Sequence, residues 1–209
     1  HRWWRQGMPL AGVTPVHLIP VVGHVLTPLA GVRLGHQDWA LGQFALGTVL
    51  WIVWAALLWQ RRRLGPPLPA PLAPARFIQV APLAVIGLSM AELGWSPTAS
   101  WLAWALATAL VIWLSKDLLP QLKTMPFGLT HWALSFPLAA WTSLSWMLAN
   151  ELGGSGAVAG TQLLPTALLA IVTLIIGGLS SATIKGLRRG DLLKPEPGGS
   201  PKAPLPSKS

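Results

Sequence analysis

The sequence predicts an all-α integral membrane protein, with six transmembrane helices arranged as three hairpins. Three observations carry this. Mean hydropathy is +0.53, and only 10% of the 209 residues are charged, which sets the chain apart from ordinary water-soluble domains. The apolar residues are gathered into runs of about 20, enough to cross roughly 30 Å of hydrocarbon at about 1.5 Å per helical residue. Backbone polar groups in lipid must be satisfied within the segment, which requires helices rather than open strands. Finally, the basic residues behind the net charge of +9 bracket these runs instead of forming one stripe, which argues against a nucleic-acid partner and for a lipid bilayer.

The expected transmembrane domain is 1–190, with spans at about 13–32, 39–59, 77–93, 99–119, 126–149 and 160–184. The first contains LIPVVGHVLTPLAG. The second, WALGQFALGTVLWIVWAALLW, stops at Arg61, Arg62 and Arg63, as expected at a membrane surface. The connector GPPLPAPLAPAR has five prolines in the ten residues 65–74 and predicts a stiff extended linker rather than a helix. The third span holds VAPLAVIG, and the fourth is apolar until Lys116 and Asp117. The fifth carries THWALSFPLAAW. The sixth ends in GGLSSATIKGLRRG, where Gly177, Gly178, Ser180 and Ser181 predict a close-packing helix face. The Pro- and Ser-rich tail 191–209 is expected to be disordered. The start at His1, without a recognisable leader, suggests a fragment.

Alternate loops divide the Lys and Arg residues unequally. Fourteen of the fifteen fall on one side, and Arg33 alone falls on the other. The positive-inside bias then places both ends, the C-terminus included, in the cytoplasm; the expected location is the cell inner membrane. Asp38, Glu92 and Glu151 lie toward the outer side.

A repeat emerges when the spans are aligned. The first, third and fifth each carry an interior proline (Pro20, Pro82 and Pro137) preceded by an apolar residue and followed by VV, LA or LA. Bent helices with freed carbonyls are tolerated best against a protein interior or a water-filled path, so three in register suggest odd-numbered helices gathered around an axis. On the helical face of Phe136 lie Trp132, Ala133, Ala139 and Ala140, which leave room beside the ring. Phe136 is either a hydrophobic plug in a narrow path or a core residue.

His24 follows Pro20 by one turn. It is either a functional intramembrane ionisable group or a neutral histidine bonded to a neighbouring helix. His131 reads as structural. Without nearby Cys, Asp or Glu, neither histidine points to a metal site. No span holds a cationic ring, so an anion would meet helix ends and polar groups such as His24, Thr27, Ser89, Ser135, Thr142 and Ser143. No nucleophile and base arrangement, carboxylate pair, phosphate loop or redox pair is found, so neither an enzyme nor a cofactor is expected.

The stretches TPVHLIPVVGHVLTPLAGVRLGH, PPLPAPLAPARFIQVAPLAVIG and THWALSFPLAAW, in this order and spacing, resemble the tellurite-resistance/dicarboxylate transporter family. Its members include TehA-like proteins and the slow-type anion channels of plant guard cells. The resemblance covers about 15–187. It implies ten helices in five hairpins around a central pore, often kinked at proline, with the present spans as the last six. It also implies a homotrimer, with the family's pore-occluding phenylalanine at Phe136. The expected function is passage of small anions: inorganic anions, tellurite-type oxyanions, sulfite or C4-dicarboxylates. A proton-coupled dicarboxylate carrier turning on His24 is the alternative, ahead of a non-transporting membrane protein or membrane enzyme.

Overall fold

The computed structural model describes residues 10–154 and 161–190. The tail 191–209 and the basic residues at 2 and 5 lie outside them. Seven α-helices are described: α1 (Leu18–Val25), α2 (Thr27–Gly31), α3 (Gln37–Leu64), α4 (Val80–Glu92), α5 (Pro97–Leu122), α6 (Ser135–Gly154) and α7 (Leu163–Arg189). No strand occurs among the described residues.

Among the described residues, four helical stretches are long and apolar enough to cross a membrane: Gln37–Leu64, Ala70–Glu92, Pro97–Leu122 and Leu163–Arg189. The first expected span is instead the shorter apolar helix Pro15–Gly31. The fifth becomes the 20-residue α6, entered through a 3-10 segment. The long helices overrun their expected ends because the arginines after Trp59 continue α3 for another turn, and Ser96 caps α5 by accepting from the backbone N–H of Thr98 with Pro97 at the first position.

Packing sorts the helices into two rows. α1, α4 and α6 form an inner row, with α4 in the middle touching both neighbours. Each then packs with the next long helix of its own hairpin, α3, α5 or α7 respectively. α4 is buried nearly all round, from Val80 to Gly87 and again at Ser89, as a middle helix must be. Its core joins Val22 and Val25 of α1, Phe44 of α3, and Ala140, Leu144 and Leu148 of α6.

Two of the glycines that allow close approach lie on α4 and α3. A Cβ on Gly87 of α4 would lie 2.8 Å from Leu144 Cδ2 and 3.1 Å from Ala103 Cβ, while one on Gly47 of α3 would meet His24 Cβ at 2.7 Å. The expected close-packing face on the last helix differs. Gly177 and Gly178 are exposed and have nothing within 4 Å of an added Cβ, because α7 turns these residues away from α6.

Hydroxyl and indole groups stitch the rows together, as expected where apolar solvent gives helices little hydrophobic reason to associate. Ser89 Oγ donates to the Val25 carbonyl at 2.6 Å, and Ser100 Oγ to the Gly87 carbonyl at 2.9 Å. Trp104 Nε1 donates to Ser145 Oγ at 2.8 Å, Trp141 Nε1 to Thr108 Oγ1 at 2.9 Å, and Trp132 Nε1 to Thr183 Oγ1 at 2.9 Å. The outward faces of α3, α5 and α7 stay apolar, with Val49, Ile52, Leu102, Leu106, Leu169 and Leu174 among the exposed side chains. Such faces suit lipid rather than water.

The proline-rich connector is extended only as far as Pro69. From Ala70 to Gln79 it winds as a 3-10 helix with Ala73, Pro74 and Ala75 buried. The expectation of a simple linker fails because the proline φ fits a 3-10 helix as well as an extended chain. Thr130 Oγ1 then anchors the segment through the Pro71 carbonyl at 2.6 Å.

Candidate functional site

The three repeated prolines occupy one structural position. Pro20, Pro82 and Pro137 are each the third residue of an inner α-helix, and each helix begins directly after a 3-10 segment: Pro15–His17, Ala70–Gln79 and Leu129–Leu134. The first four N–H groups of an α-helix have no intrahelical acceptor, so a proline at the third position removes no α-helical bond. The mid-helix penalty of about 3 kcal/mol therefore does not apply here. The bend the sequence predicts is a change of winding from about 3.0 to 3.6 residues per turn, repeated once per hairpin.

Phe136 is the second residue of α6, at that change of winding. It is 46% exposed and belongs to none of the buried clusters. Ala139, half-buried, and Ser143, exposed, continue its stripe along α6 at spacings of three and four. On α1 and the 3-10 turn before it, the exposed stripe runs through Val16, Ile19, Pro20 and Gly23. Both stripes belong to the inner row.

The other candidate polar residues are engaged within the protein. Ser89 is fully buried on the Val25 carbonyl, and Thr142 donates to the Leu138 carbonyl. Ser135 Oγ donates to the Trp132 carbonyl at 2.7 Å, and Thr27 Oγ1 to those of His24 and Ala40 at 2.8 and 3.2 Å. His24 Nδ1 lies 2.7 Å from Gln43 Oε1 on α3. A carboxamide oxygen can only accept, so Nδ1 is the donor and the ring is fixed in one orientation. His131 is buried, with Nδ1 on the Gly128 backbone at the start of its 3-10 segment.

Two ion pairs escaped sequence reasoning because their partners are distant in the chain. Arg33 meets Glu92 through two bonds of 2.8 and 3.0 Å, tying the α2–α3 turn to the end of α4. The hydrogen bond to Glu92, and then its charge, raise the Arg33 pKa above the ordinary arginine value. Arg62 reaches Asp117 at 3.2 Å across α3 and α5. Charge type alone gave no signal for either pairing. The contact of Gln43 with His24 was equally silent, although Gly47, one turn along α3, marks the close approach that permits it.

Long apolar helices, a fully packed middle helix and apolar outward faces define a multi-pass α-helical membrane protein. A family model for the voltage-dependent anion channels (SLAC1) matches residues 1–184, and the chain belongs to that family. This is a family of channels rather than of enzymes, and it is the group whose proline-centred segments the sequence resembles. The chain is 25% identical over 173 residues to the S-type anion channel SLAH2 of Arabidopsis thaliana, an alignment covering 81% of this chain and 32% of that one. It therefore spans about a third of the length of that relative. No solved structure gives a significant match.

Proposed function

We propose that the inner row α1, α4 and α6 contributes to a path for small anions across a bacterial inner membrane, and that Phe136 closes this path. The observation that carries the reading is the place of Phe136: a large ring half exposed on an inner helix, where a core role would have buried it. Its stripe offers small neighbours, Ala139 and Ser143, so the ring narrows the path while the flanking positions leave it open. A hydrophobic constriction of this kind blocks ions by excluding water. α1, α4 and α6 carry no Lys or Arg, so the anion would be met by hydroxyls, backbone dipoles and the His24 ring rather than by a bare cation.

Three inner helices make an arc rather than a closed ring; two further hairpins of the same kind would close the proposed pore, and the proposed assembly is a homotrimer. The substrate is a small inorganic anion, an oxyanion of the tellurite type, sulfite or a C4-dicarboxylate. Anion flux into liposomes containing the full-length protein should rise for Phe136→Ala. Flux no greater than wild type in a well-folded variant would remove Phe136 from the gate.

A further inference from the structure

A cavity of about 550 Å³ opens at the arginine-bearing end of α3. Its walls come from α3, α5, the proline-rich connector with its 3-10 segment, the base of α4 and the start of α1 at Leu18. α3 and α5 belong to successive hairpins and are not packed along each other. The gap between them is bridged by Arg62, whose guanidinium stacks 3.8 Å from the Trp113 ring centroid and bonds to Asp117.

The lining has two kinds of surface. Arg61, Arg62 and Arg76 supply positive charge. Arg61 is only 7% exposed and spends one N–H on the Val13 carbonyl, while Arg76 pairs with no carboxylate among the described residues. Below the arginines lie Trp51, Leu58, Leu83, Leu110 and Trp113. Asp117 is engaged with Arg62 and does not line the cavity, so the positive charge dominates.

Position sharpens the meaning of this pairing. The arginines mark the end of the apolar run on α3, where a bilayer passes from hydrocarbon to headgroups and where indoles also concentrate. A ligand matching the cavity must present an anion at that level and an apolar chain beneath it. We propose that the cavity binds an anionic phospholipid. Arg61, Arg62 and Arg76 hold its phosphate, and one acyl chain lies between α3 and α5 against Trp51, Leu58 and Leu110. The site is separate from the stripe bearing Phe136 and does not depend on the gating assignment.

The test uses the full chain in detergent micelles, titrated with phosphatidylglycerol brominated on one acyl chain. Bromine quenches nearby tryptophans, here Trp51, Trp59 and Trp113. Brominated phosphatidylcholine and inorganic phosphate form the other arms. Phosphatidylglycerol should bind well below the concentration needed for phosphatidylcholine. Arg76→Gln should weaken it about five-fold, and Arg62→Gln with Arg76→Gln roughly 25-fold, with phosphatidylcholine unchanged. Arg61 is spared because it holds Val13, and the single Arg76 variant stands alone if the double variant unfolds. Equal binding of the two lipids would make the cavity ordinary lipid-facing surface. Displacement by phosphate at concentrations equal to the lipid would assign it to a soluble anion. Phosphatidylglycerol binding unchanged in the variants would also overturn the proposal.

Discussion

Gly87 is where three helices meet most closely, and replacing it with alanine tests the packing that holds α6 in place. The new Cβ would stand 2.8 Å from Leu144 Cδ2, 3.1 Å from Leu144 Cδ1 and 3.1 Å from Ala103 Cβ. Leu144 is fully buried and Ala103 nearly so, so neither can swing out of the way. Forcing a methyl group into a filled core costs about 1–3 kcal/mol, and the contact at Gly87 belongs toward the upper part of that range. Replacing a mid-helix glycine returns up to about 1 kcal/mol. The net loss is about 1–2 kcal/mol, equivalent to a fall of about 2–8 °C in melting temperature for a chain of this size.

The assay is thermal unfolding in detergent followed by intrinsic fluorescence, which the 13 tryptophans make sensitive. Gly177→Ala is the control. It meets nothing within 4 Å and should leave the melting temperature unchanged or slightly raised. If Gly87→Ala melted no lower than Gly177→Ala, the interlock of α4, α5 and α6 would be wrong.

Two further outcomes follow from the contacts between helices. In a double-mutant cycle, Trp104→Phe and Ser145→Ala should couple by about 0.6 kcal/mol, the usual size for a hydrogen bond between membrane helices, and strictly additive losses would contradict the 2.8 Å bond. His24→Gln should leave the pH dependence of anion flux as in wild type, because a passive path needs no proton relay; a shifted profile would revive the proton-coupled carrier.

The membrane character and the long helices were legible because they rest on composition and on run length, both local properties. The repeat of Pro20, Pro82 and Pro137 was also visible, but its form was not. Sequence alone places a proline inside an apolar run and cannot show that a 3-10 segment ends three residues before it. Burial was less accessible still. Gly87 and Gly177 are the same residue in similar apolar surroundings, yet one is interlocked with two helices and the other faces open space. The difference arises from which helix lies in the middle of the row, a consequence of contacts made far along the chain. Arg33 and Glu92 illustrate the same point for charge, since each appeared isolated within its own segment. Phe136 drew attention through its small neighbours, but exposure on an inner helix became visible only once α6 was packed against α4.

The central proposal, that the stripes on α1 and α6 face an aqueous anion path, is tested most directly by cysteine accessibility in a background free of other cysteines; the 209 residues contain none. Gly23→Cys on α1 and Ser143→Cys on α6 place a thiol on each stripe. Leu174→Cys places one on α7, at a position 76% exposed toward the expected lipid side. With the full-length protein in liposomes, a membrane-impermeant anionic thiosulfonate should modify both stripe positions and reduce flux, with protection by a permeant anion, while Leu174→Cys stays unmodified. Equal inertness of Gly23→Cys, Ser143→Cys and Leu174→Cys would show that these faces meet lipid or protein instead of a conduction path.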